Sequence, residues 1–229
     1  MTDTPRISAR LLYAANYARQ NKRIADVGTD HAYLPIYLLA KGISLGGVVS
    51  DINKGPIERA KEHIREWGYC DRLDALLCDG LDKIEPYRPD DIFILGMGGE
   101  LIADIIMRAP WTKTRGVRLI LQPMTHPELL RKALCENGYS IVDEALVKDG
   151  KIYQLICAEY TGESVEQSEL ELLFGAINLS RRDALCAELL GHWENVLMQR
   201  IRGKREADAD TSDEERILKM IGDIKNECN

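Results

Sequence analysis

The six cysteines of this chain, Cys70, Cys78, Cys135, Cys157, Cys186 and Cys228, include no C-x-x-C pair. Scattered cysteines speak against a zinc site and against a disulfide framework, so no metal is expected and the thiols should be free, as in a reducing cytoplasm. No stretch approaches the roughly 18 consecutive apolar residues of a membrane helix, and no basic start leads into an apolar segment. Neither a membrane span nor a secretory signal is therefore expected. A uniformly basic surface is excluded as well, because the formal net charge is -7. Core-forming residues are not lacking. With 229 residues, 45% of them hydrophobic, the chain can build one domain of about 160 residues and a smaller second one.

The acidity is uneven. Residues 1–160 carry 21 basic and 22 acidic side chains, whereas residues 161–229 carry 9 and 15. Two basic clusters stand against this background: Arg6, Arg10, Arg19, Lys22 and Arg23 near the start, and Arg108, Lys113, Arg115 and Arg118 further on. Each could face the phosphates of a nucleic acid, or could be a set of solvated side chains with no ligand.

The most informative stretch is residues 23–51, which reads as strand, acidic-glycine loop, helix and second strand ending in a carboxylate. Gly28 in Asp26-Val27-Gly28-Thr29-Asp30-His31 lets the backbone turn tightly and approach a ligand. Pro35 fits only the first turn of the following helix, so that helix begins close to the loop. Asp51 ends the second strand 23 residues after Gly28, where an acidic side chain can accept hydrogen bonds from both ribose hydroxyls.

A dinucleotide fingerprint is also missing. Where G-x-G-x-x-G has its second glycine, this chain has Asp30, followed by His31. A pyrophosphate would meet that carboxylate at a cost of roughly 1 to several kcal/mol in a partly dry site, and Asp26 would add to it. S-adenosylmethionine, with a sulfonium, an ammonium and a ribose but no phosphate, suits the loop better than NAD. An ordinary strand-to-helix turn is the plain alternative.

Alternation continues along the chain. Residues 6–20 read as a helix with Leu11, Leu12, Ala15 and Ala18 on one side, able to lie over the crevice. Ile57, Ala60, Ile64 and Trp67 give a second crossover helix. Further strands at 73–78, 91–95 and 117–121 end in Asp79-Gly80, Gly96-Met97-Gly98-Gly99 and Gln122-Pro123, and such carboxyl-end loops are where open α/β sheets bind ligands. Thr125 and Glu128 predict a capping box for a helix reaching about Asn137. Residues 139–148 and 151–160 predict an antiparallel hairpin around Asp149-Gly150. From about Gly162 the pattern turns helical, over roughly 164–179, 181–204 and 213–227, with Ser212 and Glu215 as a cap for the last. Leu185, Leu189, Trp193, Val196 and Met198 form one apolar stripe and Ile217, Leu218, Ile221 and Ile224 its partner, predicting an antiparallel helical hairpin.

The expected fold is α/β, a Rossmann-like sheet that is mostly parallel with an antiparallel hairpin at its end, like that of class I methyltransferases. It occupies residues 1–161 and is followed by a small helical, coiled-coil-like domain over 162–229. The ordered set Asp26-Val27-Gly28-Thr29-Asp30-His31, Asp79-Gly80-Leu81, Gly96-Met97-Gly98-Gly99 and Leu119-Ile120-Leu121-Gln122-Pro123 resembles the bacterial tRNA (adenine(22)-N1)-methyltransferase family over about residues 6–160. The helical tail is similar to that family's C-terminal domain by architecture. Met124 departs from the pattern, standing where that family is expected to have asparagine.

The resemblance implies S-adenosyl-L-methionine as cofactor, tRNA as partner, a cytoplasmic location and a monomer or weak homodimer. It implies that Asp26, Gly28, Asp30 and His31 line the methionine side of the cofactor, that Asp51 with Ile52 holds the ribose, and that Asp79 and Gly80 meet the adenine. Gly96, Met97 and Gly98 fall where enzymes that methylate the amino group of adenine carry an acidic or asparagine residue and two prolines. Their carbonyls and Gln122 would hold the target base, with Met97 against its ring, which makes Gln122, Met97 and His31 the candidate catalytic residues. His31 either touches the reacting groups or only starts its helix. Arg6, Arg10, Arg108, Lys113 and Arg115 are the candidate RNA contacts. Two other readings compete: a small-molecule methyltransferase whose tail covers the substrate, and a non-catalytic RNA-binding or cofactor-sensing protein. A nicotinamide oxidoreductase fits the loop carboxylates least.

Overall fold

The computed structural model describes residues 4–226. Cys228 lies outside the described residues; the other five cysteines are free thiols. The chain divides into two compact units, one ending at Glu166 and the other beginning at Gln167.

The first unit is built on a seven-stranded sheet in the order β3-β2-β1-β4-β5-β7-β6. Its strands are β1 (Lys22–Val27), β2 (Ser44–Asp51), β3 (Leu73–Leu77), β4 (Asp91–Met97), β5 (Arg118–Pro123), β6 (Tyr139–Asp149) and β7 (Lys151–Tyr160). The helices are α1 (Ala9–Ala15), α2 (Tyr33–Ala40), α3 (Lys54–Glu66), α4 (Gly99–Met107) and α5 (Pro127–Glu136). The first five strands pair in parallel, and β7 runs antiparallel between β5 and β6. This is the Rossmann-like sheet expected from the sequence, with the hairpin turning at Gly150 as predicted.

The central strands are apolar throughout because both of their faces are covered. Ile24, Phe93 and Ile120 pack with Ala14, Ala15, Leu34 and Leu38 on one face. Their chain neighbours Ala25, Ile92, Ile94, Leu119 and Leu121 pack with Ile102, Ile106, Leu130 and Leu134 on the other. This is the period-two alternation of a strand. Helix α2 shows the helical counterpart, apolar on several sides at once because it is held between neighbours. Leu34 and Leu38 face the sheet, while Ile36 and Leu39 meet Ala60 and Ile64 of α3. Strand β1 lies between β2 and β4, so the strand order reverses there and a crevice opens at the carboxyl ends of β1 and β4.

Two local expectations differ from what is observed. Helix α1 has only 7 residues, capped by the Ser8 hydroxyl, and it buries Ala14 and Ala15 while Leu12 is 44% exposed. Helix α5 has no capping box: His126 precedes it in a left-handed conformation and Pro127 opens it. The reason is tertiary, since Thr125 accepts a 2.8 Å hydrogen bond from the Gly99 N–H through its carbonyl. Pro127 in turn has no N–H that a cap would need to satisfy.

The second unit is helical: α6 (Glu169–Phe174), α7 (Ala176–Arg181), α8 (Ala184–Glu206) and α9 (Ser212–Asn226). The first predicted helix breaks at Gly175, whose φ of 92° is outside helical geometry. Lys204 pairs with Glu214 near the turn and Lys225 with Glu194 far from it, so α8 and α9 run antiparallel. The buried stripe of α8 is Cys186, Leu189, Leu190, Leu197 and Ile201. Met198, expected in that stripe, is 50% exposed, because it lies about 100° around the helix from Leu197. The cap expected from Ser212 and Glu215 is not what is observed: the Ser212 hydroxyl bonds to Asp210, and Glu215 Oε1 accepts from the Thr211 hydroxyl at 2.7 Å.

Candidate active site

A cavity of about 160 Å³ opens at the carboxyl end of β1, lined by Asp26, Gly28, Thr29, Asp30, His31, Tyr33, Leu34 and Leu95, with Arg10 and Leu11 of α1 across it. The loop after β1 is held by its own backbone: Gly28 and Thr29 both donate to the Ser50 carbonyl, at 2.8 and 3.0 Å. The Thr29 hydroxyl then accepts from the Ala32 N–H at 3.0 Å, which fixes the start of α2. Gly28 has φ 78°, and a Cβ there would stand 2.1 Å from Met97 Cε. The glycine therefore serves two ends, a left-handed turn and room for the methionine arriving from β4.

The two loop carboxylates differ. Asp26 is buried and has no cationic partner among the described residues; burial pushes its carboxyl from 3.8 up to about 6, and a hydrogen bond with Thr29 only partly offsets this. Asp30 is exposed. The Arg59 guanidinium of α3, hydrogen-bonded to it, holds its carboxyl below the usual range, and His31 Nε2 lies 3.0 Å from its other oxygen. The negative character expected from two carboxylates thus falls to Asp26, because Asp30 is neutralised by a residue 29 positions away. His31 stacks with Tyr33 and His63 at 5.1 and 5.2 Å between ring centroids, and its Nδ1 is buried without a hydrogen-bond partner among the described residues.

Around the rest of the crevice, Asp51 ends β2 and takes a 2.7 Å hydrogen bond from the Asn53 N–H on one oxygen. Ile52 beside it is 64% exposed. Asp79, past β3, pairs with Arg108 at 3.2 Å, and Gly80 packs against Ile105 of α4. The loops after β4 and β5 are joined through their backbones: Met124 donates to the Met97 carbonyl at 2.7 Å and Gly99 to that of Thr125. A Cβ on Gly99 would stand 2.2 Å from the His126 carbonyl oxygen, so only glycine permits this approach. Gln122 is completely buried. Its Nε2 donates to the Pro123 carbonyl at 2.8 Å, and its Oε1 accepts from the Arg10 guanidinium.

The residues expected to meet RNA separate. Arg6 is exposed, four positions ahead of Arg10. Arg10 turns inward instead, over the Tyr153 ring at 5.4 Å, with its Nη1 3.4 Å from where a Cβ on Gly96 would be. Arg108 is engaged by Asp79, Asp82 and Asp104. Lys113 and Arg115 are exposed in the segment entering β5, at the amino ends of the strands and so at the opposite end of the sheet from the cavity. Charge density along the chain missed Arg10's inward course and the roles of Arg59, Tyr33 and His63. Nothing in their spacing signals those contacts, which form only when α1 and α3 are placed against the sheet.

Residues 7–156 match the family model of a methyltransferase domain. The tRNA (adenine(22)-N(1))-methyltransferase of Bacillus subtilis strain 168 is 32% identical over 228 residues, 95% of this chain and 93% of its own. The chain belongs to the tRNA (adenine(22)-N1)-methyltransferase family. The crystal structure of the B. subtilis M1A22 tRNA methyltransferase TrmK superposes with a TM-score of 0.80 at 30% identity, covering 96% of this chain and 98% of that one. The Streptococcus pneumoniae protein Sp1610, solved in complex with S-adenosyl-L-methionine, gives a TM-score of 0.85 at 26% identity over 96% and 99% of the two chains. Family membership therefore extends over both units, including the helical tail that carries none of the sequence motifs. Among the described residues no group of three His, Cys, Asp or Glu side chains could hold a metal ion, and no helix is long and apolar enough to cross a membrane.

Proposed function

We propose that the protein transfers the methyl group of S-adenosyl-L-methionine to N1 of the adenine at nucleotide 22 of tRNA, in the cytoplasm. The observation that carries this reading is the match of nearly the whole chain to a relative with that activity. The residues also fit the cofactor. Asp26 is a buried carboxylate lacking a cation, suited to the cofactor's ammonium, and the unpartnered His31 Nδ1 marks a wall polar enough for its amino-acid end. Asp51, with one oxygen free of partners among the described residues, would take a ribose hydroxyl. Ile52 would cover the adenosine, and Asp79 and Gly80 would border its base.

When bound, the cofactor supplies an electrophilic methyl group. N1 of adenine carries an in-plane lone pair that can attack it in one displacement, so the chain needs no general base. Its residues act instead by holding donor and acceptor in line and by excluding water. The positive charge leaves the sulfonium and arrives on the base, and an ionised Asp26 beside the crevice favours the cation before and after transfer. Gly96, Met97 and Gly98 would hold the target base beside the methyl donor, with Met97 placed to pack on its ring. Because N1 lies on the pairing edge, the nucleotide must leave its paired or stacked position to be reached. Arg6 and the other exposed basic residues would then hold tRNA through its phosphates.

Incubation with labelled S-adenosyl-L-methionine and total tRNA tests this, followed by primer extension on the product. Label in tRNA and an arrest at nucleotide 22 are expected. Cofactor binding without label in tRNA would return the protein to the small-molecule or non-catalytic readings.

A further inference from the structure

Gln122 is an amide whose two ends are assigned by their surroundings. Its Nε2 faces the Pro123 carbonyl at 2.8 Å and Met124 Sδ at 3.5 Å, both acceptors, and its Oε1 faces the Arg10 guanidinium, a pure donor. The opposite orientation would set N–H against N–H and carbonyl against carbonyl. An oxygen therefore lies at this point, directly beneath Arg10, which lines the cavity. The side chain that covers it comes from another element. Three other arginines buried or half-buried on this sheet have a carboxylate: Arg19 has Asp91, Arg118 has Glu159 and Arg131 has Glu144, while half-buried Arg72 is held by the carbonyls of Ser44 and Leu45. Arg10 is half-buried and stands between Gln122 and the cavity; its backbone N–H donates to Asp149, but its guanidinium has no carboxylate partner among the described residues.

We propose that Gln122 Oε1 is the atom that selects adenine, accepting a hydrogen bond from the 6-amino group, and that Arg10 fills that donor position until the base arrives. This rests on the methyltransferase reading above. Adenine presents a donor at C6 beside its nucleophilic N1, whereas guanine presents a carbonyl oxygen at C6 and a proton on N1. An oxygen fixed in the protein accepts from the first and repels the second. Exchange of Arg10 for the amino group replaces one N–H donor by another, so the buried acceptor is never left unsatisfied. Arg10 is bound there by no ion pair, which leaves it free to move aside.

Two tRNAs test the assignment, one with adenosine and one with purine riboside, which lacks the 6-amino group, at the target nucleotide. The readout is the ratio of kcat/KM for the two RNAs. The wild-type protein should prefer adenosine by at least about tenfold beyond the ratio of their uncatalysed N1 reactivities, the loss of one buried hydrogen bond. In Gln122→Ala the preference should fall to that intrinsic ratio, and in Gln122→Met, which keeps the volume but lacks the amide oxygen, it should fall as far. Arg10→Met should retain the preference, because the Pro123 carbonyl still orients the amide. An unchanged preference in a folded Gln122→Ala protein overturns the proposal, as does loss of preference in Arg10→Met alone, which would show that the amide oxygen does not select the base by itself. If Gln122→Ala does not fold, the Gln122→Met and Arg10→Met ratios decide. Failure of the wild-type protein to methylate even the adenosine tRNA is a different result, and it removes the methyltransferase reading itself.

Discussion

The two ends of the central sheet treat buried charge in opposite ways. At the amino end, Asp91 is fully buried, but Arg19 answers it with its backbone N–H and its guanidinium, both at 2.7 Å, and the same guanidinium donates to the carbonyls of Asp90 and Gly116. Lys22 pairs with Asp90 and Arg118 with Glu159 close by. Burial pushes the Asp91 carboxyl up even so, with Arg19 pulling against it. At the carboxyl end, Asp26 is buried and Arg10 half-buried, and neither side chain has an oppositely charged partner among the described residues. The first end spends its charges on its own architecture. The second keeps them available, and a charge left without a partner in a cleft is a mark of a ligand still to come.

The comparison can be broken most forcefully at the amino end. Arg19→Met should leave Asp91 buried and uncompensated, lowering unfolding free energy at pH 7 by about 3–5 kcal/mol in chemical denaturation. A loss below about 1 kcal/mol would mean that the pair is solvated and that the contrast between the ends is false.

At the carboxyl end the sign reverses. A carboxyl whose value rises from 3.8 unfolded to about 6 folded holds its proton more tightly when folded, so its ionisation opposes folding. The penalty is absent below about pH 3.8, grows between there and about 6, and reaches about 3 kcal/mol above that. Asp26→Asn should therefore stabilise the cofactor-free protein by up to that amount at pH 7 and by almost nothing near pH 3.5, as followed by denaturation across the range. The same substitution should weaken S-adenosyl-L-methionine binding at pH 7, measured calorimetrically. Equal stabilisation at both pH values would show that Asp26 is not the group responsible.

The smallest effect concerns RNA. Arg6→Ala should weaken tRNA affinity a few-fold and reduce the slope of log affinity against log salt by about 1, the signature of one lost phosphate contact. Lys113→Ala and Arg115→Ala, at the other end of the strands, should change both quantities less. Equal losses at the two ends would mean that tRNA wraps around the sheet.

What the sequence disclosed, and what it hid, follows from the range of the interactions. The alternation that built the sheet is local, and so is the Asp149-Gly150 turn; both were legible because a strand's period and a turn's backbone are written within a few residues. Asp26, Gly28 and Asp51 could be placed for the same reason, since strand ends in this topology fall at one edge. Other features depended on distant partners. Thr125 and Glu128 have the spacing of a capping box, yet Thr125 is engaged by Gly99 and the box does not form. Asp30 looked like a second free carboxylate until α3 brought Arg59 to it. Arg10 was read with its charged neighbours in sequence, although its partners, Gln122 and Tyr153, are more than 100 positions away. In the tail, the apolar content of α8 was plain but its face was not, because Leu197 and Met198 are equally apolar and only packing chooses between them.

The backbone hydrogen bonds that join the loops after β4 and β5 also bear on how this site can be rebuilt. Met97 accepts from Met124, and Gly99 sits against His126 so closely that neither loop has its observed shape without the other. The two loops are one inherited part. Transplanting either alone into a related sheet would bring half of a matched pair and leave the recipient's other half cut to a different pattern, so a change of target base by loop exchange has to carry 96–99 and 122–126 across together.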